Sequence, residues 1–222
     1  MTLREISKTE AARYMGVRGV PDSQTAELLD KYEPIVRNSL RPAYVYREAE
    51  VELRADGVYL SGLGVPLKGK SIRGLLADCS RAIVMAATVS AEADRLISRV
   101  SVSDMAGALA VDCLCSAAIE QVCDLAEKEI FSQTKAKNRT MRFSPGYGDL
   151  SIDVQEELLR YLNAGRRIGL TCGESCMLMP TKSVTAIIGI SDSPVREQKS
   201  GCDICSMRES CSFRNSGECR RN

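Results

Sequence analysis

Apolar positions along the chain change period several times, and each change marks an element. Ser7-Lys8-Thr9-Glu10 has capping-box spacing, in which the Ser7 hydroxyl and the Glu10 carboxylate each satisfy a backbone donor, and it predicts a short helix through Tyr14. After Gly19-Val20-Pro21-Asp22, residues Ala26, Leu28, Leu29, Tyr32, Ile35 and Val36 recur at helical spacing, with Pro34 kinking that helix or marking its last stretch. From Tyr44 the pattern alternates: Val45, Val51 and Leu53 precede Ala55-Asp56-Gly57, and Val58, Leu60 and Leu63 follow. Asp-Gly supplies the positive φ angles of a tight turn, so a β-hairpin is expected here. Ser71 is placed to cap a helix through Asp78, and the unbroken apolar run 82–89 has the length of a buried central strand.

Helical spacing returns over 91–100 and again from Ser103 or Asp104 to about Phe131. In the longer helix Ala108, Val111, Cys115, Ala118, Ile119, Val122 and Leu125 form a stripe, much of it small enough for close packing. Cys113, Cys115 and Cys123 therefore fit small core residues better than ligands. Residues 135–139 form a basic, solvated connector, and 152–163 an amphipathic helix that Gly165 would close. Strands are expected over 168–171 and 184–190. The succession predicts an α+β fold, a largely antiparallel sheet covered by helices. Beyond Asp192 apolar residues all but vanish, so the chain divides into a domain over 1–192 and a Cys-rich C-terminal appendix over 193–222.

Length and composition narrow the function. The chain has 222 residues and 44% hydrophobic content, enough for one well-buried domain and a short appendix. With 30 basic and 29 acidic side chains, bulk electrostatics favours neither nucleic acid nor an anionic membrane. No apolar run follows a basic start, and no stretch approaches the roughly 18 to 20 apolar residues of a membrane span, so a cytoplasmic protein is expected. There is no histidine. That excludes a Ser-His-Asp triad, a Cys-His pair, histidine-ligated zinc and a histidine ligand to cobalt from this chain.

The ten cysteines, without a secretion signal, point to thiols or metal ligands. Cys202, Cys205, Cys211 and Cys219 stand at Cys-x2-Cys-x5-Cys-x7-Cys spacing in a tail too polar to order itself by burial. Shared coordination of zinc or of an iron-sulfur cluster would supply the folding energy, and spacing does not choose between them. The alternative is a flexible tail of free or disulfide-forming thiols. Cys172 and Cys176 fit core packing or a pocket wall better than a metal site.

The remaining candidate is the loop Arg142-Phe143-Ser144-Pro145-Gly146-Tyr147. Arg142 can grip a carboxylate bidentately, Gly146 lets a ligand approach the main chain, and Tyr147 can stack on a heterocycle. Alone, such a segment is more often an ordinary turn with a surface arginine. Here it is followed by a helix, Thr171-Cys172-Gly173-Glu174-Ser175, Met179-Pro180 and Ser183-Val184-Thr185. In that order and spacing the chain resembles the activation domain of cobalamin-dependent methionine synthase, in particular small free-standing members. The likeness is specific over 140–192 and looser back to about residue 102.

The resemblance implies a domain that binds S-adenosylmethionine and presents it to an oxidised corrinoid, which a one-electron donor reduces and the sulfonium methyl group traps as methylcobalamin. Carried over by motif, Arg142 would bind the carboxylate, the backbone of Ser144, Pro145 and Gly146 the polar edges, and Tyr147 would line the site. Glu174 matches the glutamate of the family's Thr-Glu-Ser motif, although Cys172-Gly173 intrudes before it, and the resemblance counts it with the cofactor site, in a role that is either structural or at the corrinoid face. Two further departures stand out. Gly148-Asp149-Leu150 replaces a Pro-Ala-Cys-Pro-like stretch, and Ser191-Asp192-Ser193-Pro194 leads into the tail where the family has a tyrosine-bearing segment. The resemblance implies no catalytic residue here. It implies a protein of methionine biosynthesis acting in trans on a corrinoid-binding methyltransferase, methionine synthase first among them, with a flavodoxin- or ferredoxin-type donor. An iron-sulfur cluster on the tail cysteines would supply or relay the electron, with structural zinc there as the alternative. The competing expectation is an iron-sulfur or zinc electron-transfer or interaction module that keeps the fold without binding S-adenosylmethionine.

Overall fold

The computed structural model describes residues 2–134 and 136–195. Its elements are α1 (Lys8–Tyr14), α2 (Ser23–Ser39), β1 (Ala43–Arg54), β2 (Gly57–Leu60), α3 (Lys70–Leu76), β3 (Arg81–Thr88), α4 (Glu92–Ser101), α5 (Met105–Gln133), β4 (Asn138–Arg139), α6 (Gln155–Leu162), α7 (Ala164–Ile168), β5 (Thr171–Cys172), β6 (Leu178–Met179) and β7 (Ser183–Ser191). Five strands form one sheet in the order β2-β1-β3-β7-β4, and β5 pairs with β6 in a small second sheet. The pairs β1–β2, β4–β7 and β5–β6 are antiparallel. This is the α+β architecture that the periodicities predict. Two compact units compose the described residues: one within Met1–Arg47, Val84–Lys135 and Gln155–Ala186, the other within Glu48–Ile83, Ala136–Val154 and 187–195.

In the first unit α5 is the axis, packed by α1, α2 and α4. It opens at Asp104, whose carboxylate accepts the Gly107 N–H and the Tyr32 hydroxyl, both at 2.7 Å. Its predicted stripe is buried except Leu125, which is 38% exposed. Contrary to the expectation that no stretch approaches a membrane span, α5 is long and apolar enough to cross a bilayer. Yet 67% of its most apolar stretch is buried inside the fold, and it is a core helix. Cys113, Cys115 and Cys123 all lie in that core. Burial pushes the Cys113 thiol up to about 11 and the Cys115 thiol to about 12.

Helix boundaries follow the sequence with instructive exceptions. Ser7 accepts the Glu10 N–H at 3.2 Å, which is half of the capping box. The other half is replaced, because the Ser7 N–H donates to Gln121 on α5 at 3.0 Å and Glu10 takes Arg13 instead. α2 runs past Pro34 to Ser39, and its buried face takes in Glu33 while Ile35 stays 43% exposed. The buried Glu33 carboxylate is matched by the Ile6 N–H and by Arg37. The helix expected over 152–163 is a single 3-10 turn, Ile152–Val154, followed by α6. It ends at Asn163 in the left-handed region, not at Gly165, which lies inside α7; Gly169, also left-handed, closes that helix. The strand expected over 168–171 is reduced to Thr171–Cys172.

In the second unit the hairpin pairs Arg54 with Gly57 and Val51 with Leu60. Gly57 is not needed for a positive φ, which it does not adopt. A Cβ there would lie 2.9 Å from Pro66 Cβ and 3.2 Å from the Leu67 carbonyl oxygen, so the position demands close approach. The stretch read as a solvated connector supplies β4, pairing Asn138 with Ser191 and Arg139 with Ile190.

Overpacking of this kind typically costs about 1–3 kcal/mol, so Gly57→Ala should lower the unfolding free energy by about that much in a denaturant titration. At pH 8 alkylation of the native protein should label Cys172 and Cys176 before Cys79, Cys113 and Cys115, whose thiols burial holds protonated. Peptide mapping of the alkylated sites reads the order.

Candidate ligand loop

The segment carrying Arg142 to Tyr147 belongs to the second unit and is anchored along β7. The Thr140 N–H donates to the Gly189 carbonyl and the Gly189 N–H to the Thr140 hydroxyl, each at 2.9 Å. Phe143 and Ile187 exchange both backbone bonds at 3.0 and 2.8 Å. Arg142, half-buried, lies between these two anchor points. Phe143 is buried, which fixes the backbone on which both Arg142 and Ser144 stand.

The chain then turns tightly. Tyr147 N–H donates to the Ser144 carbonyl, Leu150 N–H to the Tyr147 carbonyl, and Gly146 N–H to the Leu150 carbonyl, at 3.2, 3.1 and 2.9 Å. Pro145 has no N–H, and those of Gly146 and Tyr147 are bonded within the turn. A ligand's own N–H donors are therefore the better match for this stretch. Gly146 sits at φ +85, and a Cβ there would meet only Ile152 Cδ1, at 3.8 Å, so the main chain is open to close approach. Ser144 is half-buried and Pro145 buried, while the Tyr147 ring is 46% exposed and tilted 57° to the Phe143 ring, centroid to centroid 6.5 Å. A half-buried arginine, an open glycine and a presented ring thus share one loop.

The loop's far end carries a contact that sequence reasoning missed. Ser71 does not cap α3; the N-cap position is Gly69, which has no side chain to offer. The Asp149 carboxylate takes that place, accepting the Lys70 N–H at 2.6 Å and the Ser71 N–H at 2.9 Å. Those bonds, from Ser71 and then Lys70, hold its carboxyl below the ordinary range. The backbones approach so closely that a Cβ on Gly69 would lie 2.7 Å from Asp149 Oδ1, and one on Gly148 2.5 Å from Ser71 Oγ. An aspartate between glycine and a core leucine, and a helix start preceded by a bare glycine, were the available signals.

Glu174 belongs to the first unit. It is exposed in the turn of the β5–β6 hairpin, where the Cys176 N–H donates to the Gly173 carbonyl and the Gly173 N–H to the Met177 carbonyl. Cys176 adopts φ 59 in that turn. Thr171, Met177 and Met179 are exposed, whereas Cys172, Cys176 and Leu178 are half-buried, which suits the packing role expected of the two thiols. Among the described residues no group of three or more Cys, Asp or Glu side chains is gathered to hold a metal ion. Cys202, Cys205, Cys211 and Cys219 lie outside the described residues. The structure thus sets Arg142, Ser144, Pro145, Gly146 and Tyr147 in one loop of one unit and Glu174 on a hairpin of the other.

No family model and no curated protein matches the chain. Among solved structures, the crystal structure of the MetH reactivation domain bound to AdoHcy superposes with a TM-score of 0.65, covering 96% of this chain and 81% of that one at 14% sequence identity. At that identity the likeness is one of fold. The chain has the fold of the MetH reactivation domain.

Proposed function

We propose that the protein binds S-adenosylmethionine at the 142–147 loop and serves, in trans, the reductive reactivation of the corrinoid of a cobalamin-dependent methyltransferase, methionine synthase first among the candidates. One observation carries this reading: Arg142-Phe143-Ser144-Pro145-Gly146-Tyr147 stands in a loop held at both ends, on a fold shared with a MetH reactivation domain crystallised with AdoHcy. AdoHcy has the carboxylate, amine and nucleoside of S-adenosylmethionine and lacks its sulfonium methyl group.

The loop's residues fit such a molecule. Arg142 pairs with the carboxylate, the main chain around the open Gly146 accepts from amine donors, and Tyr147 lies along the heterocycle. Glu174, presented by its hairpin, serves the face turned to the corrinoid protein. When bound, S-adenosylmethionine supplies an electrophilic methyl group on a charged sulfur. The protein's own task is then to grip and orient, for which no general base is required, in keeping with a chain that has no histidine. The partner carries the corrinoid, and a flavodoxin- or ferredoxin-type protein delivers one electron. The setting is the cytoplasm. In this reading 1–192 is the reactivation domain and 193–222 an appendix in which Cys202, Cys205, Cys211 and Cys219 hold an iron-sulfur cluster that relays the electron, or a structural zinc.

A charge-assisted bond contributes about 1.5–3 kcal/mol, so Arg142→Ala should weaken S-adenosylmethionine binding roughly ten-fold or more in equilibrium dialysis of protein purified without oxygen. Absence of binding by the wild type, or binding indifferent to that substitution, would sink the proposal. Visible absorption and metal analysis of the same preparation test the tail: zinc without iron removes the electron relay.

A further inference from the structure

We propose that Asp149 is a positioning residue for the ligand loop, clamping it to the start of α3; the inference rests on the binding reading above. Helix α3 has only a glycine at its N-cap, and Ser71, the local alternative, is bonded into the helix start instead of capping it. The cap comes from a residue 78 and 79 positions away in sequence. One carboxylate therefore joins two chain segments, with each oxygen committed to a different N–H.

On the loop side the clamp passes directly into the turn. Asp149 precedes Leu150, whose N–H donates to the Tyr147 carbonyl and whose own carbonyl accepts the Gly146 N–H. A continuous series of bonds thus runs from the Lys70 and Ser71 amides through Asp149 and Leu150 to the two residues expected to meet the ligand. Leu150 is 2% exposed, so this series is seated on a buried side chain and does not slide. The approach is further committed by Gly69 at φ +132, where a side chain would collide with Asp149, and by Gly148 at φ +55, where one would collide with the Ser71 side chain. Holding Tyr147 and Gly146 in place before a ligand arrives removes an ordering cost from binding.

The test compares wild type, Asp149→Ala and Asp149→Asn by AdoHcy affinity and by hydrogen exchange at the Gly146, Tyr147 and Leu150 amides, with α5 amides and a melting curve confirming that each variant is folded. Asp149→Ala should bind AdoHcy about ten-fold more weakly and lose protection at those three amides while α5 keeps its own. Asparagine retains one acceptor oxygen, so Asp149→Asn should fall between the two. Unchanged protection in Asp149→Ala overturns the clamp, and lost protection with unchanged affinity overturns its positioning role. No AdoHcy binding by the wild type overturns the functional proposal, and with it this role; binding by wild type and Asp149→Ala alike overturns only the inference.

Discussion

The first unit depends on covering the long apolar face of α5. α5 buries Ala108, Ala110, Val111, Leu114, Ala117 and their neighbours completely or nearly so, and small side chains of this kind gain little individually from leaving water. What they permit is close approach of α1, α2 and α4, so that backbone as well as side chain enters the packing. The polar ties around α5 fix its neighbours' positions. Asp104 takes both its own helix start and the Tyr32 hydroxyl of α2, and Lys182 reaches Asp112 at 2.8 Å and Ser116 at 2.9 Å. Thr181, beside it, bonds Asp94 of α4 through its N–H at 3.1 Å and its hydroxyl. The segment that returns from the β5–β6 hairpin is thereby pinned to two helices, which limits how far the hairpin bearing Glu174 can wander.

The second unit solves a different problem. A loop that leaves Gly146 and the Tyr147 ring exposed cannot also bury them, so its order has to come from backbone bonds and from the residues flanking it. β7 provides one anchor through Gly189 and Ile187, the α3 N-terminus another through Asp149, and Phe143, Pro145 and Leu150 are the buried pegs between. At Gly148-Asp149-Leu150 the loop is tied by tertiary hydrogen bonds, the Asp149 carboxylate accepting the Lys70 and Ser71 N–H groups.

Much of this was legible residue by residue. The helical stripe of α5, the apolar strand β3, the hairpin at Ala55-Asp56 and the Ser7 cap all follow from local period and local chemistry, because the side chains concerned need only their sequence neighbours to declare their role. Errors fell where a distant partner intervenes. Gln121 takes the Ser7 N–H that Glu10 would satisfy, Pro66 and Leu67 explain Gly57 better than turn geometry does, and Asp149 caps a helix credited to Ser71. The loop motif was found through its companions in sequence; its anchors were invisible, since β4 is two residues long and carries no period of its own.

Local pattern therefore determined the main helices and the strands β1, β2, β3 and β7, the α+β class, the exclusion of imidazole chemistry and the singling out of Arg142 to Tyr147 as a candidate ligand loop. Only the tertiary structure decided that Glu174 stands on a hairpin of a different unit and how far the apolar α5 is buried. It also decided which carboxylate holds the loop. The reason is common to all three: burial, and the satisfaction of a backbone donor, are settled by whatever lies nearest in space, and a linear pattern records only what lies nearest along the chain.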